Sequence, residues 1–286
     1  MKEQGSHIPP QLGVPSLYGA TRHRRVTVLD IQAAKERGEK WPMLTSYDAL
    51  TAEIFDAAGI PVLLVGDSAA NNLLGYENTI GVSVDELIPL ARAVTRGSKS
   101  AMVVADLPFG SYESSPEQAL ATSIRFFKES GVQAVKLEGG TRVLPQVRTL
   151  TNSGIPVMGH LGLTPQSMHA LGGYRVQGRG SAGARLIEEA IALQDAGAFS
   201  LVLELVPADL ASQVTAALRI PTIGIGAGAD CDAQVLVYTD LLGLNDKPPR
   251  LARKYADVRG VMTKAVREWA DDVARGDFPS AAESFE

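Results

Sequence analysis

The chain has 286 residues, 45% of them hydrophobic and 21% charged, with a formal net charge of -5. That length allows one large α/β barrel or two ordinary domains with a substantial core, and the modest negative charge removes any electrostatic case for nucleic acid or an anionic membrane. The only cysteine, Cys231, excludes an internal disulfide and a cysteine-built zinc site, which fits a reducing cytoplasm, and no apolar run has the length of a membrane span or a signal peptide.

Residues 1–25 are rich in Gly, Pro, His and Arg without a hydrophobic period, and are predicted to be a mobile N-terminal tail. Val28 and Ile31 then recur at helical spacing up to a stop at Gly38, a helix expected to close the bottom of a barrel. Residues 41–47 read as a strand, Asp48 as the cap of a helix ending at Gly59, and 60–65 as a second strand. An Asn-rich loop follows Asp67. Ser83 and Glu86 form a capping box for a helix whose apolar face is Leu87, Leu90, Ala91 and Val94. After a strand at 101–106, Ser115-Pro116-Glu117-Gln118 starts a helix with a predicted core face of Leu120, Ile124 and Phe127. The unit repeats as strand 134–138, helix 141–152 and strand 155–160. Residues 161–180, with Pro165 and several glycines, are too long for an ordinary connection and read as a functional loop. Helix 182–196, a strand around 201–205, helix 209–218, strand 222–225 and a candidate strand at 235–238 follow. An amphipathic helix through Val258, Met262, Ala265, Trp269 and Val273 ends the chain.

About eight strands alternating with helices predict a single (β/α)8 TIM barrel over residues 26–286; a doubly wound open sheet is the competing α/β fold. In both, chemistry is delivered from the C-terminal ends of strands. Apolar runs lead here into Asp67, Asp106, Glu138 and His160, and the run Leu201-Val202-Leu203-Glu204-Leu205 encloses a carboxylate. A Glu inside a buried strand is costly without a partner, a metal or a catalytic role, which makes Glu204 the strongest catalytic candidate. Asp67 and Asp106 are hard oxygen donors that suit Mg²⁺, although an Asp after a strand often only caps the next helix; Glu138 as a third acid favours a metal. Lys136 and Glu138 share one strand face, where they either neutralise each other or place a cation on an anionic substrate and an acid near the metal. His160 either meets substrate or only hydrogen-bonds to backbone. The Gly224 to Gly228 run lacks the dinucleotide spacing and reads as a tight strand-to-helix turn, with a phosphate cradle as the alternative. Tyr174, Arg175 and Arg179 are solvated loop residues or part of a lid.

The strings Leu64-Val65-Gly66-Asp67-Ser68, Ala105-Asp106-Leu107-Pro108-Phe109, Val135-Lys136-Leu137-Glu138-Gly139-Gly140 and Gly159-His160-Leu161-Gly162-Leu163-Thr164-Pro165-Gln166 closely resemble the ketopantoate hydroxymethyltransferase family. So do Gly172-Gly173-Tyr174-Arg175-Val176-Gln177-Gly178-Arg179 and Ile223-Gly224-Ile225-Gly226-Ala227-Gly228, in order along the chain from about Val26. The resemblance implies a Mg²⁺-dependent (β/α)8 enzyme of pantothenate biosynthesis. Such an enzyme transfers a hydroxymethyl group from 5,10-methylenetetrahydrofolate to 3-methyl-2-oxobutanoate, through a Mg²⁺-stabilised enolate, to give ketopantoate. Carried over by motif, Asp67 and Asp106 would bind Mg²⁺, with Glu138 in contact or acting through water. Ser68 and Lys136, beside Asp67 and Asp106, would hold the oxo acid; Glu204 would be the general base and His160 a supporting group. The resemblance also implies a cytoplasmic homo-oligomer, commonly a decamer. Two other readings are a Mg²⁺-dependent carbon–carbon lyase or mutase working without folate, and a catalytically silent barrel; the five polar strand ends argue against the second.

Overall fold

The strands β1 (Trp41–Thr45), β2 (Val62–Val65), β3 (Met102–Asp106), β4 (Ala134–Lys136), β5 (Val157–Gly162), β6 (Ser200–Glu204), β7 (Thr222–Ile225) and β8 (Ala233–Leu236) pair in chain order and close into a barrel. All the registered pairs are parallel, so the expected (β/α)8 barrel is formed and the open sheet is not. The computed structural model describes residues 16–19 and 24–285. Helix α1 (Val28–Glu36) precedes β1, and α2 (Ala49–Ala57) follows it. The turn α3 (Ala69–Asn72) and helix α4 (Val84–Gly97) connect β2 to β3, while α5 (Pro116–Ser130) and α6 (Leu144–Asn152) follow β3 and β4. After β5 come the short α7 (Met168–Leu171) and α8 (Ala182–Asp195), and α9 (Ala208–Ala217) follows β6. The described residues divide into two compact units, one ending at Val235 and one from Leu236 that holds α10 (Tyr238–Leu241) and α11 (Val258–Arg275). Among the described residues no helix is long and apolar enough to cross a membrane.

The capping residues expected from sequence start their helices. Asp48 accepts from Thr51 N at 2.8 Å, Ser115 accepts from Gln118 N at 3.1 Å, and Ser83 with Glu86 forms a reciprocal capping box. Helix α1 closes the barrel bottom: Ile31 and Ala34 are fully buried in one cluster with Trp41, Met43, Val62 and Met102. Lys35 Nζ fixes it there, 2.8 Å from Asp232, whose carboxylate also accepts the Thr222 N–H. The expected mobile tail lies outside the described residues except for 16–19, 24 and 25. Of these, Leu17 is buried, and Arg25 donates to Ser98 O at 2.6 Å.

Two elements differ from their sequence reading. The last strand lies at Ala233–Leu236, not 235–238, because Gln234 points outward between inward Ala233 and Val235 and so breaks the apolar run that the eye follows. On α5 the buried face is Ala119, Thr122, Ser123, Phe126 and Ser130, whereas Ile124 is exposed. Hydroxyls make this possible: Thr122 donates to Ser111 O at 2.7 Å and Ser123 to Ala119 O at 2.7 Å, so both are satisfied without water. Phe126→Ala should therefore cost about 3 to 5 kcal/mol in urea unfolding, and Phe127→Ala clearly less. Equal losses would restore the face read from the sequence.

Candidate active site

Side chains alternate across a strand, so each barrel strand presents one inward row. That row is apolar at the bottom of the barrel and turns polar at the top. It runs Met102, Val104, Asp106 on β3; Ala134, Lys136 on β4, with Glu138 two residues further; Met158, His160 on β5; and Val202, Glu204 on β6. The period that fills the core thus also delivers the charged groups to a common mouth.

Asp106 and Lys136 are register partners across β3 and β4, and Lys136 Nζ lies 2.7 Å from Asp106 Oδ1 with the side chains 4% and 3% exposed. Lys136 is therefore paired with Asp106 and not with Glu138, its neighbour on the strand. The other Asp106 oxygen accepts the backbone N–H of Asp67 at 2.9 Å. Neither aspartate serves as a helix cap: Ser68 is the N-cap position of the α3 turn after Asp67, Ser83 caps α4 and Ser115 caps α5. His160 Nδ1 is 3.2 Å from Lys136 Nζ and 3.5 Å from Glu138 Oε1, and its Nε2 is 3.2 Å from Glu204 Oε2. The Nε2 approach is close but poorly aligned, so Nε2 and Glu138 Oε1 are both buried atoms without a hydrogen bond. Asp67, Asp106, Lys136, Glu138, His160 and Glu204 form one contiguous cluster. Ser68 stands at its edge with its hydroxyl 2.8 Å from Tyr47 OH; a Cβ on Gly66 would come within 2.6 Å of Ser68 Oγ and 3.4 Å of Asp106 Oδ2.

Glu204 ends β6 beside Gly162 of β5, its register partner. Gly162 has φ +91°, and a Cβ there would lie 2.2 Å from Glu204 O, so only glycine lets β5 pass this close. The Glu204 carbonyl accepts Leu163 N–H at 2.8 Å, and the next residue, Leu205, holds φ 46°, a left-handed conformation uncommon outside glycine.

Electrostatics follow from burial and crowding. The Asp67 pKa is raised well above the ordinary carboxylate value, by burial first and then by the charges of Asp106 and Glu138. Burial opposes the charge of Lys136, but Asp106, Glu138 and Asp67 outweigh it and hold the proton on. His160 is opposed by burial and by Lys136, yet Glu138 and Glu204 raise its pKa to about 9. Two tendencies conflict here, because the Lys136 contact is a hydrogen bond only when Nδ1 carries no proton. The raised pKa comes from carboxylates that lack a counter-charge. A cation bound among them would remove that cause and lower the pKa again.

Among the described residues no three acidic, imidazole or thiol groups converge as a finished metal site. Mg²⁺ does not require one, since it keeps several waters and is commonly held by one or two carboxylates plus substrate oxygens. Three buried acids face a single ammonium, and Glu138 Oε1 accepts no hydrogen bond, a donor set that suits a hard divalent cation.

A model of the family described as ketopantoate hydroxymethyltransferase matches residues 25–281. A relative from Saccharopolyspora erythraea, named 3-methyl-2-oxobutanoate hydroxymethyltransferase, is 62% identical over 271 residues, covering 94% of this chain and 92% of its own. The chain belongs to the ketopantoate hydroxymethyltransferase family. It is therefore a transferase. A family member of the same name from Acidothermus cellulolyticus is 63% identical over 263 residues, covering 92% of this chain and 97% of its own. Among solved structures, a phosphonopyruvate hydrolase complex with oxalate and Mg²⁺ superposes with TM-score 0.59 at 13% identity, covering 90% of this chain and 92% of that one. A 2,3-dimethylmalate lyase superposes with TM-score 0.57 at 18% identity, covering 91% of each chain. These likenesses show the fold that this family shares with those enzymes, not their reactions.

The structure also brings in residues that sequence reasoning did not single out: Tyr47 on Ser68, and Gln166 and Tyr112 among the acids. Gln166 lies within a motif quoted for the resemblance, but nothing in a sequence marks a loop glutamine as buried. Of the long-loop residues, Tyr174 is 55% exposed with its pKa raised, first by partial burial and then by the charges of Glu204, Asp67 and Glu138, while Arg175 and Arg179 are exposed.

His160 supplies a pH signature. A pKa raised from 6.5 to about 9 gives the metal-free protein a stabilising contribution that is fully present below pH 6.5 and lost as pH rises through about 9. The Tm of metal-free protein should fall across that window, and fall less in His160→Gln. Imidazole NMR should show Mg²⁺ moving the midpoint down; a midpoint below 6.5 without metal would mean that the carboxylates do not control the ring.

Proposed function

We propose that this enzyme transfers a hydroxymethyl group from 5,10-methylenetetrahydrofolate to 3-methyl-2-oxobutanoate, forming ketopantoate in pantothenate biosynthesis. The observation that carries the reading is the meeting of Glu204 and the Lys136–Asp106 pair on opposite nitrogens of His160 in one barrel mouth. That arrangement sets a base and a fixed cation side by side, as proton removal next to a ketone demands. The name of the relatives supplies the acceptor and the group transferred.

In this reading Lys136, kept cationic by its acidic neighbours, holds the anionic oxo acid, and the Ser68 hydroxyl hydrogen-bonds to it. Glu204 takes the C3 proton. His160 keeps Glu204 and Lys136 at a fixed separation and can present Nε2–H to the Glu204 carboxylate. Mg²⁺, held by Asp67 and Asp106 with Glu138 beside them, supplies Lewis-acid stabilisation of the charge that develops on the ketone oxygen. The carbon nucleophile left by proton removal forms the new carbon–carbon bond to the one-carbon unit, water supplies the hydroxyl oxygen, and the bonds from that carbon to the folate nitrogens break to release tetrahydrofolate. A cytoplasmic homo-oligomer, a decamer by the resemblance, belongs to the same proposal. The apolar side chains Met262, Val266, Trp269 and Val273 support self-association: they recur along one side of α11 and are 46 to 61% exposed. Light scattering should show a large assembly at assay concentration, and a stable monomer would contradict it.

The chemical step can be separated from folate use. With folate omitted, native protein and Mg²⁺ should exchange the C3 hydrogen of 3-methyl-2-oxobutanoate in deuterated water, followed by NMR. Glu204→Gln keeps the size of the side chain but removes the base, so exchange should slow by about 10²- to 10⁴-fold. Exchange at the native rate would remove Glu204 from the role, and His160 would be examined next.

A further inference from the structure

Gln166 has no part in the chemistry above, yet it is the most fully engaged side chain at the site. It sits in the single 3-10 turn Pro165–Ser167 after β5 and is 4% exposed. Its Nε2 donates to Asp67 Oδ2 at 2.9 Å and to Leu107 O at 3.0 Å, and its Oε1 accepts from Tyr112 OH at 2.6 Å. Its backbone N–H donates to Glu138 Oε2 at 3.0 Å. The amide can be placed only one way round, because the Leu107 carbonyl can only accept and turning the amide over would set oxygen against oxygen. Tyr112, fully buried, has one proton and gives it to Gln166, so its oxygen is left to accept the Glu138 N–H at 3.3 Å. A closed circuit results: Glu138 to Tyr112, Tyr112 to Gln166, and Gln166 back to Glu138 and across to Asp67.

We propose that Gln166 is a positioning residue that clamps the carboxylates of Asp67 and Glu138 in the orientation that receives a divalent cation. The inference rests on the metal reading made above. The circuit engages one oxygen of each acid, and the other oxygen of Glu138 is the buried atom that accepts no hydrogen bond. Both acids lie just past their strands, since β2 ends at Val65 and β4 at Lys136; backbone bonds to β5 still flank Glu138, from Leu137 N to Met158 O and from Gly139 N to His160 O, but strand pairing does not set the direction of either carboxylate. A hydrogen-bonded partner behind a ligand sets its direction and removes its rotational freedom, and losing such a partner typically lowers metal affinity by about 10- to 100-fold.

The test is a Mn²⁺ titration of purified protein, read by electron paramagnetic resonance without oxo acid or folate. Gln166→Met preserves length and the backbone N–H but removes the amide, and should weaken Mn²⁺ binding by about 10- to 100-fold. The Mg²⁺ concentration for half-activation should rise with it, while kcat at saturating Mg²⁺ falls much less. A folded Gln166→Met with native Mn²⁺ affinity overturns the proposal. Tyr112→Phe removes one hydroxyl and should weaken Mn²⁺ binding by a smaller factor. Because the Tyr112–Gln166 hydrogen bond is lost in either variant, the double variant should lose less than the sum of the two single losses, and fully additive losses also overturn the proposal. If Gln166→Met does not fold, Tyr112→Phe decides alone, and native affinity in that variant overturns it. Native protein that binds no Mn²⁺ would defeat the metal reading and this inference together; native binding with unaffected variants defeats this inference only.

Discussion

The site depends on an ion pair placed where a barrel core would otherwise be apolar. Burying two charges costs several kcal/mol for each ion, and mutual attraction offsets this only when geometry is good and the remaining donors and acceptors are satisfied. The Lys136–Asp106 pair meets those conditions: 2.7 Å between the charged atoms, the second Asp106 oxygen on the Asp67 N–H, and a further lysine contact to His160. A pair of well-packed apolar residues would stabilise the barrel as well or better. What the ion pair gives, on the proposed function, is a fixed and buried charge that needs no reorganisation when a substrate charge develops.

Glu204 shows a complementary device, a carboxylate whose position is set by a turn of the backbone. Leu205, the residue after it, holds φ 46°, a conformation that costs a non-glycine residue on the order of 1 to 3 kcal/mol. It persists because both of its backbone groups are engaged, N–H to Ile225 O at 2.9 Å and C=O from Gln177 N at 2.9 Å. The chain is thus turned sharply just after Glu204, and Gly162 on the neighbouring strand gives way to it.

How much of this was legible follows from which forces act locally. The barrel could be read because caps and strand period are short-range: Asp48, Ser83 and Ser115 announce their helices, and inward rows such as Met102, Val104, Asp106 announce their strands. The candidate residues Asp67, Asp106, Glu138, His160 and Glu204 were visible because each closes or interrupts an apolar run. The partner of Lys136 was not, since that depends on register between strands; the sequence offered Glu138 and the register supplied Asp106. The buried face of α5 was misread because Thr122 and Ser123 look like surface residues until their hydroxyls find carbonyls.

The groups at the mouth divide into two kinds with different needs. Asp106, Lys136, His160 and Glu204 lie within strands, and hydrogen-bonded pairing with neighbouring strands sets their positions. Asp67 and Glu138 lie just beyond the ends of β2 and β4, and their carboxylates need a second framework. The loop after β5 provides it on both sides of the mouth: Gln166 reaches Asp67 and Glu138, and the Gln177 N–H reaches the carbonyl of Leu205. The length of that connection therefore has a structural reason. A short crossover from β5 to α8 would reach one side of the site, whereas one that spans residues 163–181 can brace Asp67, Glu138 and the turn after Glu204 at once.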